Sequence, residues 1–444
     1  MRIRGMQRHR VVSMASAVLG LLLVGLSAAP AQAESIRAEQ WYLDAMRAPE
    51  VWKTTTGRGV TVAVIDSGVD DSLADLKGQV LDGKDFSTLR GDEHTDVAGH
   101  GTSIAAIIAA TGARGGLAAS YGLAPGAKIL PIRMIDNREV SGRIDATTVY
   151  SEKLTQAIRY AADSKAQIIN MSLALADSRG RHDVGTPELA AAVRYALSKG
   201  KLLFAGVGNR GDKENLPSYP ASTPGVVGIG AADQKTRLAD FSQRGPFVDM
   251  IAPGVDMVHA CAKGTQLCES QGTSDATAIA SASAALIWSK HPDWTNNQVL
   301  RVMLNTLNKP ADGAERNDDI GYGGIRLRAA VANDNPGPAD VYPLPDLAAA
   351  AAKSPSPKAP KPTAPAKQEK AAPKSSEGGN TLLWTGVGVA AALLIGAVVT
   401  VGVLRSRRRT PATPPPPAYP PYVPAQGPYH HPPADSQHRT EQNP

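Results

Sequence analysis

The stretch Val60-Thr61-Val62-Ala63-Val64-Ile65-Asp66-Ser67-Gly68-Val69 decides the fold. Its apolar run reads as a buried central strand, with Asp66 at the carboxyl end and Gly68 letting the chain turn away. Similar short runs recur at Lys128–Ile132, Ile168–Met171, Lys201–Ala205 and Gly225–Ile229. Helical stretches lie between or after them at Gly101–Ala110, Ser151–Ser164, Pro187–Lys199 and Ser274–Lys290. Strands alternating with helices predict an α/β fold whose mostly parallel sheet is covered by helices on both faces. In such sheets reactive groups gather at the carboxyl ends of the strands.

Three further segments carry chemistry-bearing residues. In Gly99-His100-Gly101-Thr102-Ser103 a histidine opens an apolar, alanine-rich helix, and its flanking glycines allow close approach. His94, in the polar segment Gly91–Asp96, has no such helix behind it. In Gln271-Gly272-Thr273-Ser274-Asp275-Ala276 a serine begins a helix of small residues. The free N–H groups and partial positive charge of that helix start favour negative charge developing on a substrate carbonyl. In Phe204-Ala205-Gly206-Val207-Gly208-Asn209-Arg210-Gly211 a strand runs into a glycine-rich turn that presents an amide donor, Asn209. Each residue alone has a plainer reading. Asp66 suits a turn or cap, Ser274 an N-cap, His100 a loop and Asn209 a left-handed turn position.

Together the residues follow the chain order Asp, His, Ser, one of the known orders of the catalytic triad. The blocks Val64-Ile65-Asp66-Ser67-Gly68-Val69, Gly99-His100-Gly101-Thr102 and Gly272-Thr273-Ser274 resemble the three signatures of the subtilase family. Phe241–Pro246, Ala252-Pro253-Gly254 and Gly321-Tyr322-Gly323 resemble further landmarks, so the likeness covers nearly all of about 40–330. It implies a subtilisin-like serine endopeptidase that needs no cofactor or metal. Ser274 Oγ would attack the scissile carbonyl, His100 would carry the proton to the leaving amine, and Asp66 would orient the imidazole. Asn209 and the Ser274 N–H would bind the oxyanion. Ile169–Ala174 is similar to the strand beside the primary specificity pocket, with Ser172, Leu173 and Ala174 as its substrate-binding wall. Many subtilases carry structural calcium, but no compact acidic loop here is assignable to it. The chain departs from the pattern at Asp275, where the family usually has an apolar residue, and at Ala278, where it usually has proline.

Outside this region the composition changes. Arg2, Arg4, Arg8 and Arg10 precede the apolar stretch Val11–Leu26 and Ala31-Gln32-Ala33, which predicts a signal peptide over 1–33. Residues 34–59 form an N-terminal extension too short for a foldable inhibitory prodomain. The peptidase domain is expected over 60–334 and an Ala/Pro/Lys-rich linker over 335–380. The uncharged run 382–404 is about 34 Å long as a helix, enough to cross a bilayer. Arg405, Arg407, Arg408 and Arg409 then place the Pro-rich tail 405–444 in the cytoplasm and the preceding domain outside the membrane.

These eight arginines exceed the net charge of +6, so the chain between carries no net positive charge and a nucleic-acid partner is not expected. Aromatic residues make up only 5%, which disfavours a carbohydrate-binding module. Cys261 and Cys268, with Gly264 between them, are expected to close a short disulfide loop in an oxidising compartment; two unpaired thiols are the alternative. Signal peptide, subtilase-like domain, Pro-rich linker, single membrane helix and short tail resemble the mycosins, with Trp41-Tyr42-Leu43-Asp44 similar to their N-terminal extension. That resemblance implies protein or peptide substrates, the membrane and type VII secretion machinery as partners. It leaves a second reading open, in which the domain mainly stabilises a secretion complex.

Overall fold

The computed structural model describes residues 35–134, 146–176, 184–262 and 266–353. The expected signal peptide, the linker beyond 353, the membrane helix and the tail lie outside them. Among the described residues no helix is long and apolar enough to cross a membrane.

The chain opens with three short helices, α1 (Ile36–Glu39), α2 (Trp41–Ala45) and α3 (Ala48–Val51), and then enters β1 (Thr61–Asp66). There follow β2 (Lys84–Asp85), α4 (His100–Ala109), β3 (Lys128–Arg133), α5 (Ala146–Asp163), β4 (Ile168–Met171) and β5 (Leu175–Ala176). Next come α6 (Pro187–Ser198), β6 (Leu202–Gly206), β7 (Ser218–Tyr219), β8 (Val227–Ala232) and β9 (Met250–Pro253). A hairpin of β10 (Met257–Ala260) and β11 (Leu267–Ser270) leads into α7 (Thr273–Lys290), α8 (Asn296–Asn305), α9 (Leu327–Ala332) and α10 (Asp346–Lys353).

Seven strands form one sheet in the order β2-β3-β1-β4-β6-β8-β9, and every pairing in it is parallel. Apart from the edge strand β2, where Lys84 is exposed, the strands are buried on both faces, and successive residues feed opposite cores. Val62 and Val64 of β1 join one apolar cluster, while Ala63 and Ile65 join the other. The same alternation places Leu202 and Phe204 on one side of β6 and Leu203 and Ala205 on the other. This two-residue period explains why the strands read as continuous apolar runs. Helices α4, α7, α8 and α9 cover the first face; α5 and α6 cover the second. The α/β fold with a parallel, doubly covered sheet is therefore as the sequence predicts.

Strand β1 lies between β3 and β4, so the connections leave it in opposite directions. Asp66, at its carboxyl end, sits at the switch point where open α/β sheets form their crevice. Helix α7 crosses this face with nearly every side chain buried from Thr273 to Trp288. Its alanines and serines allow that depth, and it runs on through Ala278, which has no exposed surface.

The packed region is longer than composition indicates at both ends. Tyr42, Leu43, Met46, Ala48 and Val51 of the N-terminal extension belong to the main core. Beyond 334, in the stretch expected to be linker, Leu344 is buried in the same core. The Asp346 carboxylate accepts from the Gly225 N–H at 2.6 Å. Ala/Pro-rich composition concealed these anchors because much of the hold is backbone: the Gly337 and Ala339 carbonyls accept from Gln298 Nε2 and Asn297 Nδ2.

Candidate active site

Three chain segments meet at the carboxyl edge of the sheet. The first is the exit of β1. Asp66 is 1% exposed, and its Oδ1 accepts from the Ser67 N–H at 2.8 Å and faces His100 Nδ1 at 2.7 Å. Its Oδ2 is buried without a hydrogen-bond partner among the described residues. A carboxylate at 2.7 Å from Nδ1 fixes the hydrogen on that nitrogen and leaves Nε2 as the base, and the His100 side chain keeps 32% of its surface open.

The second segment is the start of α4. Gly99 caps it in the left-handed region, φ 78°. A Cβ on Gly101 would fall 2.1 Å from the Gly68 carbonyl oxygen, so only glycine lets the helix start pack against the β1 exit. Asp96, which sequence reasoning missed, locks the two together. Its Oδ1 accepts from Ser67 Oγ at 2.8 Å and the Gly99 N–H at 2.7 Å. Its Oδ2 accepts from the Thr102 N–H at 2.8 Å and Thr102 Oγ1 at 2.6 Å. The available signal was its position four residues before the histidine, where a carboxylate can reach the free N–H groups of the helix start. His94 stands apart: its Nε2 lies 3.9 Å from Asp82 Oδ1 and 3.8 Å from Glu93 Oε1.

The third segment is the start of α7. Gly272, not Ser274, is the capping residue, so Ser274 sits inside the first turn. Its Oγ donates to the Ser172 carbonyl at 3.1 Å, and Ser172 Oγ donates to the Ser274 carbonyl at 2.9 Å. Ser172 is itself buried and receives a hydrogen bond from Asn170 Nδ2 at 3.0 Å. Of the expected pocket-wall residues, Ser172 thus clasps the Ser274 turn, Leu173 is half-buried and Ala174 is exposed. Helices α4 and α7 pack against each other, bringing the histidine and serine segments to one edge.

Asn209 enters from the turn after β6. Its Oδ1 accepts from the Thr273 N–H at 2.9 Å and from Thr273 Oγ1 at 3.0 Å, which turns Nδ2 outward. One point beside Gly272, where a Cβ would sit, lies 3.3 Å from Asn209 Nδ2 and 3.6 Å from the Ser274 amide nitrogen. The two expected oxyanion donors therefore flank a common space.

Asp275 does not face that space. It is 4% exposed, and its Oδ2 lies 2.8 Å from Ser270 Oγ. Burial pushes its carboxyl up to about 6, against the lowering effects of Ser270 and His100. The disulfide is present: Cys261 and Cys268 are bonded across the β10–β11 hairpin. Among the described residues no group of three or more metal-ligating side chains gathers.

The subtilase family profile matches residues 57–323, more than half of the chain. A thermophilic serine proteinase of Bacillus sp. (strain AK1) is 40% identical over 241 residues, 54% of this chain and 55% of that protein. The chain thus spans little more than half of that relative's length. The crystal structure of MycP1 from Mycobacterium smegmatis superposes with a TM-score of 0.60 and 27% identity, covering 68% of this chain and 86% of that one. A structure of the periplasmic assembly from the ESX-5 inner membrane complex matches with a TM-score of 0.59 and 26% identity, covering 77% of this chain and 90% of that one. The chain belongs to the subtilase family.

Proposed function

We propose that the protein is a membrane-anchored, extracytoplasmic serine endopeptidase with Asp66, His100 and Ser274 as its triad. The observation that carries this reading is the 2.7 Å contact between buried Asp66 and His100, at the helix edge that also carries Ser274. In the resting site the Ser274 hydroxyl donates to the Ser172 carbonyl. Rotation about its Cα–Cβ bond turns that hydroxyl towards His100 Nε2, which takes its proton as Oγ bonds to the scissile carbonyl carbon. The resulting imidazolium is stabilised by Asp66, and the oxyanion by Asn209 Nδ2 and the Ser274 N–H. His100 then protonates the leaving amine, and the same groups serve water in deacylation. The anchoring part rests on the uncharged run 382–404 and the arginines that follow it.

Likeness to MycP1 and to the ESX-5 periplasmic assembly supports a place in type VII secretion. The second match also favours a companion reading in which the chain stabilises a membrane complex. Proteome-wide cleavage-site profiling with wild type and Ser274→Ala tests the enzyme reading. Cleavages present only with wild type support it; identical profiles contradict it. If the companion reading holds, complex assembly survives Ser274→Ala and is lost when the whole chain is deleted.

A further inference from the structure

Behind the nucleophile a chain of hydrogen-bonding groups runs into the β10–β11 hairpin. Ser270 Oγ lies 2.8 Å from Asp275 Oδ2 and 2.9 Å from His259 Nε2. His259 Nδ1 lies 3.0 Å from the Ala260 carbonyl oxygen. His259 is 1% exposed, two residues before Cys261, and the strand register sets it opposite Cys268, the far end of the disulfide.

The number of hydrogens in this chain is constrained. The Ala260 carbonyl only accepts, so His259 Nδ1 carries a hydrogen. The Ser270 hydroxyl has one hydrogen and two neighbours, so one neighbour must donate to it. Two arrangements complete both contacts. In one, protonated Asp275 donates to Ser270, which donates to the bare Nε2 of a neutral His259. In the other, a His259 imidazolium donates to Ser270, which donates to an Asp275 carboxylate. Both hold the same number of protons, and they differ only in charge separation. Two nearly inaccessible groups, parted by a serine, lack the close partnering that a buried ion pair needs.

We propose that Asp275 is a positioning residue held, in mildly acidic solution, as a neutral carboxylic acid that donates to Ser270, which in turn donates to a neutral His259. In that state the residue beside the nucleophile brings no second negative charge to the site. Its consequence for catalysis rests on the peptidase reading, whereas the proton arrangement itself does not.

Among the described residues, the titratable groups facing Asp275 are His100 from α4, His259 from β10 and Tyr42 from α2. Burial raises the Asp275 carboxyl and lowers the His259 imidazole, both towards the neutral pair. The N-terminus of α7 pulls the other way, towards the carboxylate; burial outweighs the lowering effects of Ser270 and His100. With Asp275 neutral, His100 faces the single carboxylate of Asp66. Ionising Asp275 adds a negative charge near His100 and raises the pH needed to free that imidazole as a base.

Two measurements on the full chain test the arrangement without needing hydrolysis. The first is ¹⁵N NMR of histidine-labelled protein between pH 5 and 7, with His259→Gln assigning the signal. The neutral Nδ1–H tautomer of His259 is expected; an imidazolium or the Nε2–H tautomer overturns the proposal. The second is the urea-unfolding equilibrium of wild type against Asp275→Asn, which preserves a neutral donor. A carboxyl raised in the folded state contributes fully below its unfolded value near 4, and the contribution is lost as pH rises to about 6. Wild type should therefore lose on the order of 100-fold in folding equilibrium constant relative to Asp275→Asn across that window. A flat difference, or a gain by wild type, would mean an ionised Asp275 and overturn the proposal. Inactive wild-type protein would count against the peptidase reading alone.

Discussion

The side-chain oxygen of Asn209 accepts hydrogen bonds from both the backbone N–H and the hydroxyl of Thr273, at 2.9 and 3.0 Å. A residue 64 positions away is thereby fixed to the first turn of the helix that carries Ser274. The amide has one orientation in which it satisfies these donors, and that orientation spends its oxygen on Thr273 and turns its N–H groups outward. Asn209→Asp keeps both bonds to Thr273 but replaces the outward donor with an acceptor oxygen and adds a negative charge beside the oxyanion space. Turnover of a fluorogenic peptide should fall by about 10²–10³-fold or more, with little change in the urea midpoint. Near-normal turnover would show that Asn209 does not stabilise the transition state.

Asp66→Asn separates charge from shape in the same way. The substituted amide can still accept from the Ser67 N–H, but it no longer fixes the hydrogen on His100 Nδ1. Turnover should drop by about 10⁴-fold while circular dichroism stays unchanged. Loss of less than tenfold would contradict the role given to the 2.7 Å contact.

The Cys261–Cys268 bridge closes a loop with a sequence separation of 7. Loop closure of that size corresponds to about 2 kcal/mol of stability in the chain-entropy account. The double substitution Cys261→Ser with Cys268→Ser should lower the urea midpoint accordingly, and reductant should reproduce the effect in wild type. An unchanged midpoint in both would mean that the hairpin is held by its strand pairing alone.

The N-terminal extension is a structural strap. Gln40 is fully buried: its Oε1 accepts from the Tyr121 N–H at 3.0 Å, and its Nε2 donates to the Tyr121 carbonyl at 2.9 Å and Ser120 Oγ at 3.2 Å. Gln40→Ala removes the acceptor for the Tyr121 N–H and one donor each to the Tyr121 carbonyl and Ser120 Oγ, and should cost about 1–3 kcal/mol in chemical denaturation. An unfoldable or weakened protein is expected when residues 35–52 are removed, because Leu43, Met46 and Val51 leave the core with them. A deletion variant that folds normally and gains activity would instead mark the segment as an inhibitory propeptide.

Much of this was legible in the sequence. Asp66, His100 and Asn209 end or begin apolar runs long enough to read, so their places at the sheet edge followed from the runs. The capping residue of α7 did not: Gly272 takes that position, and Ser274 therefore falls one step deeper into the helix than its composition implies. Asp96 was hidden because its partners, Ser67, Gly99 and Thr102, come together only once β1 and α4 have packed. Asp275 was visible as an anomaly, but its direction was set by Ser270 and His259, whose hairpin of two four-residue strands carries no periodic signal of its own. Two-residue strands such as β2 and β7 are likewise fixed by tertiary pairing rather than by pattern.

The most direct test of the triad is mass-spectrometric mapping after treatment with a fluorophosphonate. Wild-type protein should carry one adduct on the peptide containing Ser274, lost on prior denaturation and absent from Ser274→Ala. Folded wild-type protein that gains no adduct, or an adduct that persists in Ser274→Ala, would contradict the account.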